Sequence, residues 1–123
     1  MIRVAFLDRD GVINIDKGYV YKWEDFEYCY KLIDALRILN DNNFKIIIVT
    51  NQSGIARGLY TEKDYIKLTN LYLNDFKKMR IDILDVFYCP HHPEGTIKEL
   101  SFVCDCRKPK PGLFFTASER HDI

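Results

Sequence analysis

Short apolar runs alternate with amphipathic ones along this chain. Ile2–Leu7 ("IRVAFL") is β-branched at Ile2 and Val4 and closed by polar residues, which predicts a buried strand. Residues 10–28 read as a loop, with Gly11 and Gly18 as breakers. Lys31–Asn40 places Leu32, Ala35, Leu36 and Leu39 at helical spacing, and Asp41-Asn42-Asn43 ends that helix. Phe44–Val49 is nearly continuous in apolar character and predicts a parallel strand covered on both faces. The loop "TNQSGIARG" follows at 50–58. Thr61 then caps a helix, with Asp64 completing a variant capping box. Ile66, Leu68, Leu71, Leu73 and Phe76 give that helix a broad apolar face. Ile83–Tyr88 predicts a third strand, residues 89–108 are irregular, and Pro111 suits the first turn of a last helix.

Strand, helix, strand, helix, strand is the α/β alternation of a Rossmann-like parallel sheet with right-handed crossovers and helices on both faces. Functional residues of such sheets collect beyond the carboxyl ends of the strands. Those ends read Asp8-Arg9-Asp10, Thr50-Asn51-Gln52-Ser53 and Cys89-Pro90-His91, so three polar clusters converge on one rim.

Composition narrows the function. The length of 123 residues suits one domain, 1–123. Lys+Arg and Asp+Glu are equal at 18 each, which argues against a nucleic-acid surface or a polybasic membrane patch. No apolar run approaches membrane-spanning length, and Asp8 and Asp10 interrupt the only candidate for a signal peptide, so a cytoplasmic protein is expected. Of the four cysteines, Cys29 stands alone and Cys89, Cys104 and Cys106 cluster. In a reducing compartment that pattern suits metal better than disulfides.

Three motifs carry chemistry. Asp8 and Asp10 flank a position suited to Mg²⁺, a hard cation that prefers oxygen ligands; one acid can also be a nucleophile while the other shuttles a proton. The plainer reading is a solvated acid pair in a turn. In "TNQSGIARG", Thr50 can donate to an anionic oxygen, and backbone N–H groups near Ser53 and Gly54 can cradle a phosphate. "CPHHPEGTIKELSFVCDC" offers Cys89, His91 or His92, Cys104 and Cys106, a closed tetrahedral set for structural Zn²⁺, in a loop spanning 89–108. Directly after it, "CRKPKPG" sets Arg107 for bidentate phosphate recognition and Lys108 as a point charge.

Together these segments resemble the haloacid-dehalogenase-like phosphohydrolases, which carry Asp-x-Asp after strand one, Thr or Ser after strand two, and then a Lys. "FLDRDGVIN", "DKGYV", "TNQSGIARG" and "CPHHPEG…CDCRKPKPG" are most similar to the D-glycero-D-manno-heptose 1,7-bisphosphate 7-phosphatase family within that superfamily. The related histidinol-phosphate phosphatases rank second. The resemblance implies hydrolysis of the 7-phosphate of a small-molecule sugar bisphosphate, in nucleotide-activated heptose biosynthesis for lipopolysaccharide or surface glycans. It implies that Asp8 attacks phosphorus, that Asp10 is the proton donor and then acceptor, and that Thr50 and Lys108 stabilise the transferring group. It also implies catalytic Mg²⁺ on the Asp8 carboxylate and the Asp10 carbonyl. Substrate contacts are expected from Arg9, Asp16, Lys17, Gly18, Tyr19, Asn51, Gln52, Ser53 and Arg107, with Arg107 on the second phosphate. The zinc ligands become Cys89, His91, Cys104 and Cys106, leaving His92 spare.

Family members continue into a further strand with an acidic Gly-Asp motif that contacts Mg²⁺, whereas this sequence stops at Ile123. The expectation is a monomer at full length. A polypeptide of these residues alone is expected to self-associate through strand one and to be weakly active, a catalytically impaired remnant or a zinc-stabilised binding module being the remaining alternative.

Overall fold

A computed structural model of the chain describes residues 2–123. Strand β1 (Arg3–Leu7) leads through a long loop to helix α1 (Leu32–Asp41). Strand β2 (Phe44–Asn51) runs into a four-residue helix, α2 (Ser53–Ala56), and then helix α3 (Glu62–Lys78). Strand β3 (Asp85–Cys89) precedes an irregular stretch and helix α4 (Gly112–His121). The three strands form one parallel sheet in the order β1-β2-β3.

Strand β2 is central and buried on both faces, as its apolar run predicts. Ile46 and Ile48 face α1 and α3, packing with Leu36, Leu68, Tyr72 and Phe76. Ile47 and Val49 face the other way, with Phe87, Cys89, Leu113 and Ala117 under α4. Each buried Ile or Leu contributes roughly 1.5–3 kcal/mol relative to exposure, so β2 anchors both layers.

Several boundaries differ from those predicted. Strand one is half-open rather than buried: Arg3 and Phe6 are exposed, and no residue of β1 is fully covered. The reason is its place at the edge, with β2 as its one partner strand among the described residues. Helix α1 begins at Leu32 because Lys31 adopts a left-handed backbone, φ 59°. Strand β3 starts at Asp85, where the ladder opposite Ile47 begins, and extends to Cys89, which pairs with Asn51. The loop after β2 contains α2, which periodicity missed because four residues hold no period. Pro111 sits just ahead of α4 rather than in its first turn.

Candidate active site

The ends of β1 and β2 bring the two acids, the hydroxyl-amide cluster and the basic end of the 89–108 loop together. Lys108 Nζ lies 3.1 Å from Asp8 Oδ1, which also accepts the Arg9 backbone N–H at 2.8 Å. No protein donor among the described residues reaches Asp8 Oδ2. Asp8 is therefore oriented through one oxygen and open through the other, with its side chain 46% exposed.

Asp10 is held differently. Its Oδ1 accepts from Arg9 Nη2 at 2.8 Å and Nε at 3.2 Å, and from Asn14 Nδ2 at 3.1 Å. Its Oδ2 accepts from Gln52 Nε2 at 3.2 Å. Arg9, expected among the substrate contacts, is only 1% exposed and spends its guanidinium on Asp10 and the Val20 carbonyl. It cannot present a side chain to substrate in this arrangement; it positions Asp10. Arg9 points inward over Phe26, where the Val20 carbonyl accepts from its Nη2 at 2.7 Å.

Gln52 links the two strand ends. It is buried, its Nε2 also donates to Thr50 Oγ1 at 2.8 Å, and its Oε1 accepts from the Tyr60 hydroxyl. Burial pushes the Tyr60 phenol further up, so it stays protonated and remains a donor. The acceptor role at Thr50 leaves its hydroxyl hydrogen with only a long 3.4 Å contact to the Asn51 carbonyl. That hydrogen is available to an anionic oxygen.

Asn51 uses both ends of its amide on Lys108. Its Oδ1 accepts the Lys108 N–H at 2.9 Å and its Nδ2 donates to the Lys108 carbonyl at 3.1 Å. This two-point clamp fixes the lysine backbone to the end of β2.

A cleft of about 210 Å³ opens beside these groups, lined by Asp10, Asp16, Gly18, Tyr19, Asn51, Gln52, Ser53 and Tyr60. Gly18 has φ +79°, and its N–H donates to Asp16 Oδ1 at 2.9 Å in a tight turn. Gly54 allows a close approach: a Cβ there would meet Tyr60 Cε1 at 2.3 Å and Tyr19 Cδ1 at 2.9 Å. Lys17 is exposed and pairs with Glu27 at 3.2 Å, away from the acids.

The second cluster is Cys89, His91, Cys104 and Cys106, whose ligand atoms all lie within 4.8 Å of one another. His91 Nδ1 is 3.3 Å from Cys106 Sγ and 3.6 Å from Cys89 Sγ, and Cys104 Sγ is 3.4 Å from Cys89 Sγ. Three sulfurs and one imidazole nitrogen facing a common centre fit tetrahedral Zn²⁺ and leave no coordination position open. His92 points elsewhere, toward Arg57, with Nη2–Nε2 at 3.1 Å. Cys29 stands apart from this cluster, half-buried, as a free thiol.

Reading the sequence missed Asn14 and Tyr60 as contributors, through their hydrogen bonds to Asp10 and Gln52. Asn14 was discoverable as the polar residue four after Asp10. Tyr60 had no local signal, because its role comes from the chain turning back after Gly58. No helix among the described residues is long and apolar enough to cross a membrane.

Comparison with known proteins agrees with this arrangement. The family model described as polynucleotide kinase 3 phosphatase matches residues 3–122. D-glycero-alpha-D-manno-heptose-1,7-bisphosphate 7-phosphatase of Photorhabdus laumondii is 54% identical over 99% of this chain and 67% of its own length. The corresponding beta-named phosphatase of Escherichia coli O6:H1 is 47% identical over 96% of this chain and 62% of its own. The solved D,D-heptose 1,7-bisphosphate phosphatase of B. bronchiseptica, in complex with magnesium and phosphate, superposes with a TM-score of 0.83 at 28% identity. That match covers 99% of this chain and 65% of the solved one. The chain thus spans about two thirds of the length of the relatives it matches.

Proposed function

We infer, from the premise that this chain belongs to the polynucleotide kinase 3 phosphatase family and groups with heptose-1,7-bisphosphate 7-phosphatases, that it hydrolyses the 7-phosphate of a heptose 1,7-bisphosphate. The observation that supports this most directly is the Asp8–Lys108 pair beside an Asp10 carboxylate fixed by donors on both oxygens.

The free Oδ2 of Asp8 attacks phosphorus, the ester P–O bond breaks, and an aspartyl-phosphate forms. Lys108 Nζ and the Thr50 hydroxyl meet the charge on the transferring oxygens, and they are in place before reaction. Asp10 delivers a proton to the leaving alkoxide. It then removes one from the water that attacks the phospho-aspartate, regenerating Asp8 and releasing inorganic phosphate. Oδ1 of Asp10 is occupied by Arg9 and Asn14, so Oδ2, held only by Gln52 at 3.2 Å, is the oxygen that exchanges protons. Asp8 and Asp10 offer the hard oxygen ligands that suit Mg²⁺, which would neutralise phosphate charge there. Cys89, His91, Cys104 and Cys106 would hold Zn²⁺, with a structural role. Asp16, Gly18, Tyr19 and Ser53 line the cleft where the sugar would lie, and Arg107 would receive the second phosphate.

Phosphate release from heptose 1,7-bisphosphate, with Mg²⁺ present, tests the reading. Asp8→Asn should lose turnover entirely, because an amide is a poor nucleophile toward phosphorus. Asp10→Asn should still form an acid-stable phospho-enzyme, slowly. Steady-state activity retained in Asp8→Asn would overturn the mechanism.

A further inference from the structure

Lys108 carries its charge on a flexible four-carbon stem, so the place of its Nζ depends on how its backbone is held. The residue lies in an irregular segment, within a turn that the Lys110 N–H closes on the Arg107 carbonyl at 2.9 Å. Among the described residues, the N–H and carbonyl of Lys108 itself have a single partner residue, Asn51. Asn51 Oδ1 accepts the N–H at 2.9 Å, and its Nδ2 donates to the carbonyl at 3.1 Å.

The anchor is a firm one. Asn51 closes β2 and pairs with Cys89 of β3, so its backbone belongs to the parallel ladder. Thr50, immediately before it, is fully buried and keeps its hydroxyl hydrogen for an anionic oxygen. The Asn51 side chain thus fastens a residue 57 positions away in sequence to the strand end that carries Thr50. Thr50 Oγ1, Lys108 Nζ and the Asp8 carboxylate, 3.1 Å from that Nζ, are thereby tied into one unit. Asn51 also borders the cleft, which is why a substrate contact was expected of it. A carboxamide has two N–H donors, and spanning a peptide unit at both ends leaves Asn51 one of them.

We propose that Asn51 is a positioning residue for phosphoryl transfer: it acts through Lys108, setting where Nζ stands relative to Asp8 and Thr50, and is not a ligand of the sugar. The proposal rests on the phosphatase reading above. It assigns the residue to the chemical step rather than to binding, because a fixed cation is useful to the transferring oxygens only at the right distance.

The test uses two substrates on the full chain with Mg²⁺: heptose 1,7-bisphosphate, and p-nitrophenyl phosphate, an aryl phosphate with no sugar. Single-turnover rates keep product release from masking the chemical step. In Asn51→Ala the maximal rate should fall roughly 10- to 100-fold, by about the same factor on both substrates. The half-saturating concentration of each should change less than about 2-fold. In the same variant the Lys108 N–H should lose its protection from hydrogen exchange, read by NMR, which reports the clamp without reference to activity. Asn51→Gln, still an amide but one methylene longer, should lose rate as well because the clamp falls out of register, and it gives the reading if the alanine variant does not fold. A loss confined to the bisphosphate, or carried by its half-saturating concentration, would make Asn51 a substrate ligand and overturn the proposal. An unchanged rate in a variant whose Lys108 N–H exchanges freely, or a lost rate with that protection intact, would overturn it too. An unaltered chain that hydrolyses neither substrate would instead remove the phosphatase reading, and this proposal with it.

Discussion

At the scale of single residues, the site works by using up nearly every polar atom that is not meant for substrate. Asn51 spends both amide ends on the Lys108 backbone, and Arg9 spends three N–H contacts on Asp10 and Val20. Tyr60 fixes the Gln52 amide by donating to Oε1, so that Nε2 must point at Asp10 and Thr50. Tyr60→Phe removes the bond that decides which way the amide faces. The expected result is a loss of roughly 5- to 10-fold in kcat, the size of one net hydrogen bond, with little change in KM. The alkaline or acid limb of the kcat profile should shift as well, because Gln52 contacts Asp10 Oδ2, the oxygen proposed to exchange protons. A Tyr60→Phe variant with altered melting but an unchanged kcat and pH profile would show that Tyr60 only packs.

At the scale of elements, α3 shows how a local signal becomes structure. Thr61 Oγ1 accepts the Asp64 N–H at 3.1 Å, and Asp64 Oδ2 accepts the Thr61 N–H at 3.0 Å, a reciprocal capping box. Thr61→Ala should cost about 1 kcal/mol of stability with kcat unchanged, measured by denaturant unfolding beside phosphate release. No change in the unfolding midpoint would show that the cap is dispensable here. This box was legible in the sequence because capping needs residue types at fixed spacing within one turn. β2 was legible for a related reason: a strand buried on both faces needs apolar residues at successive positions, here Ile46–Val49. The three polar ends converging on one rim followed from parallel topology alone. What was not legible depends on distant neighbours. The openness of β1 is set by its position in the sheet, not by the apolar residues Val4, Phe6 and Leu7 that suggested burial. The inward turn of Arg9 depends on Val20 and Phe26 forming its seat eleven or more residues later. Helix α2 has too few residues to show a period, and Gly54 within it is read only once Tyr60 and Tyr19 are seen against it.

At the scale of the whole molecule, the Cys89/His91/Cys104/Cys106 cluster and the proposed phosphate site are parts of one framework. Cys89 ends β3, its carbonyl accepts the Gln52 N–H at 2.8 Å, and Cys106 is followed at once by Arg107 and Lys108. A metal drawing Cys89, His91, Cys104 and Cys106 together therefore closes a loop that starts at one strand end and delivers the site's two cations at the other. Without the metal, the Asn51 clamp and the Ala56 contacts remain, but three thiols crowd one centre with nothing to hold them there. Stripping zinc with a chelator, or Cys104→Ser, should lower the melting temperature by several degrees, about 4 °C for each 1 kcal/mol lost in a domain of this size. Activity should fall further than stability at a temperature where the protein stays folded. Lys108 loses its fixed distance to Asp8, and a misplacement near 1 Å costs on the order of 100-fold. Both kcat and the bisphosphate KM should move, since Arg107 is displaced together with Lys108. Returning Zn²⁺ should restore the chelated protein but not Cys104→Ser to full activity. Elemental analysis without zinc, or a stripped protein with unchanged melting and turnover, would show that the four-residue cluster holds the loop by packing alone.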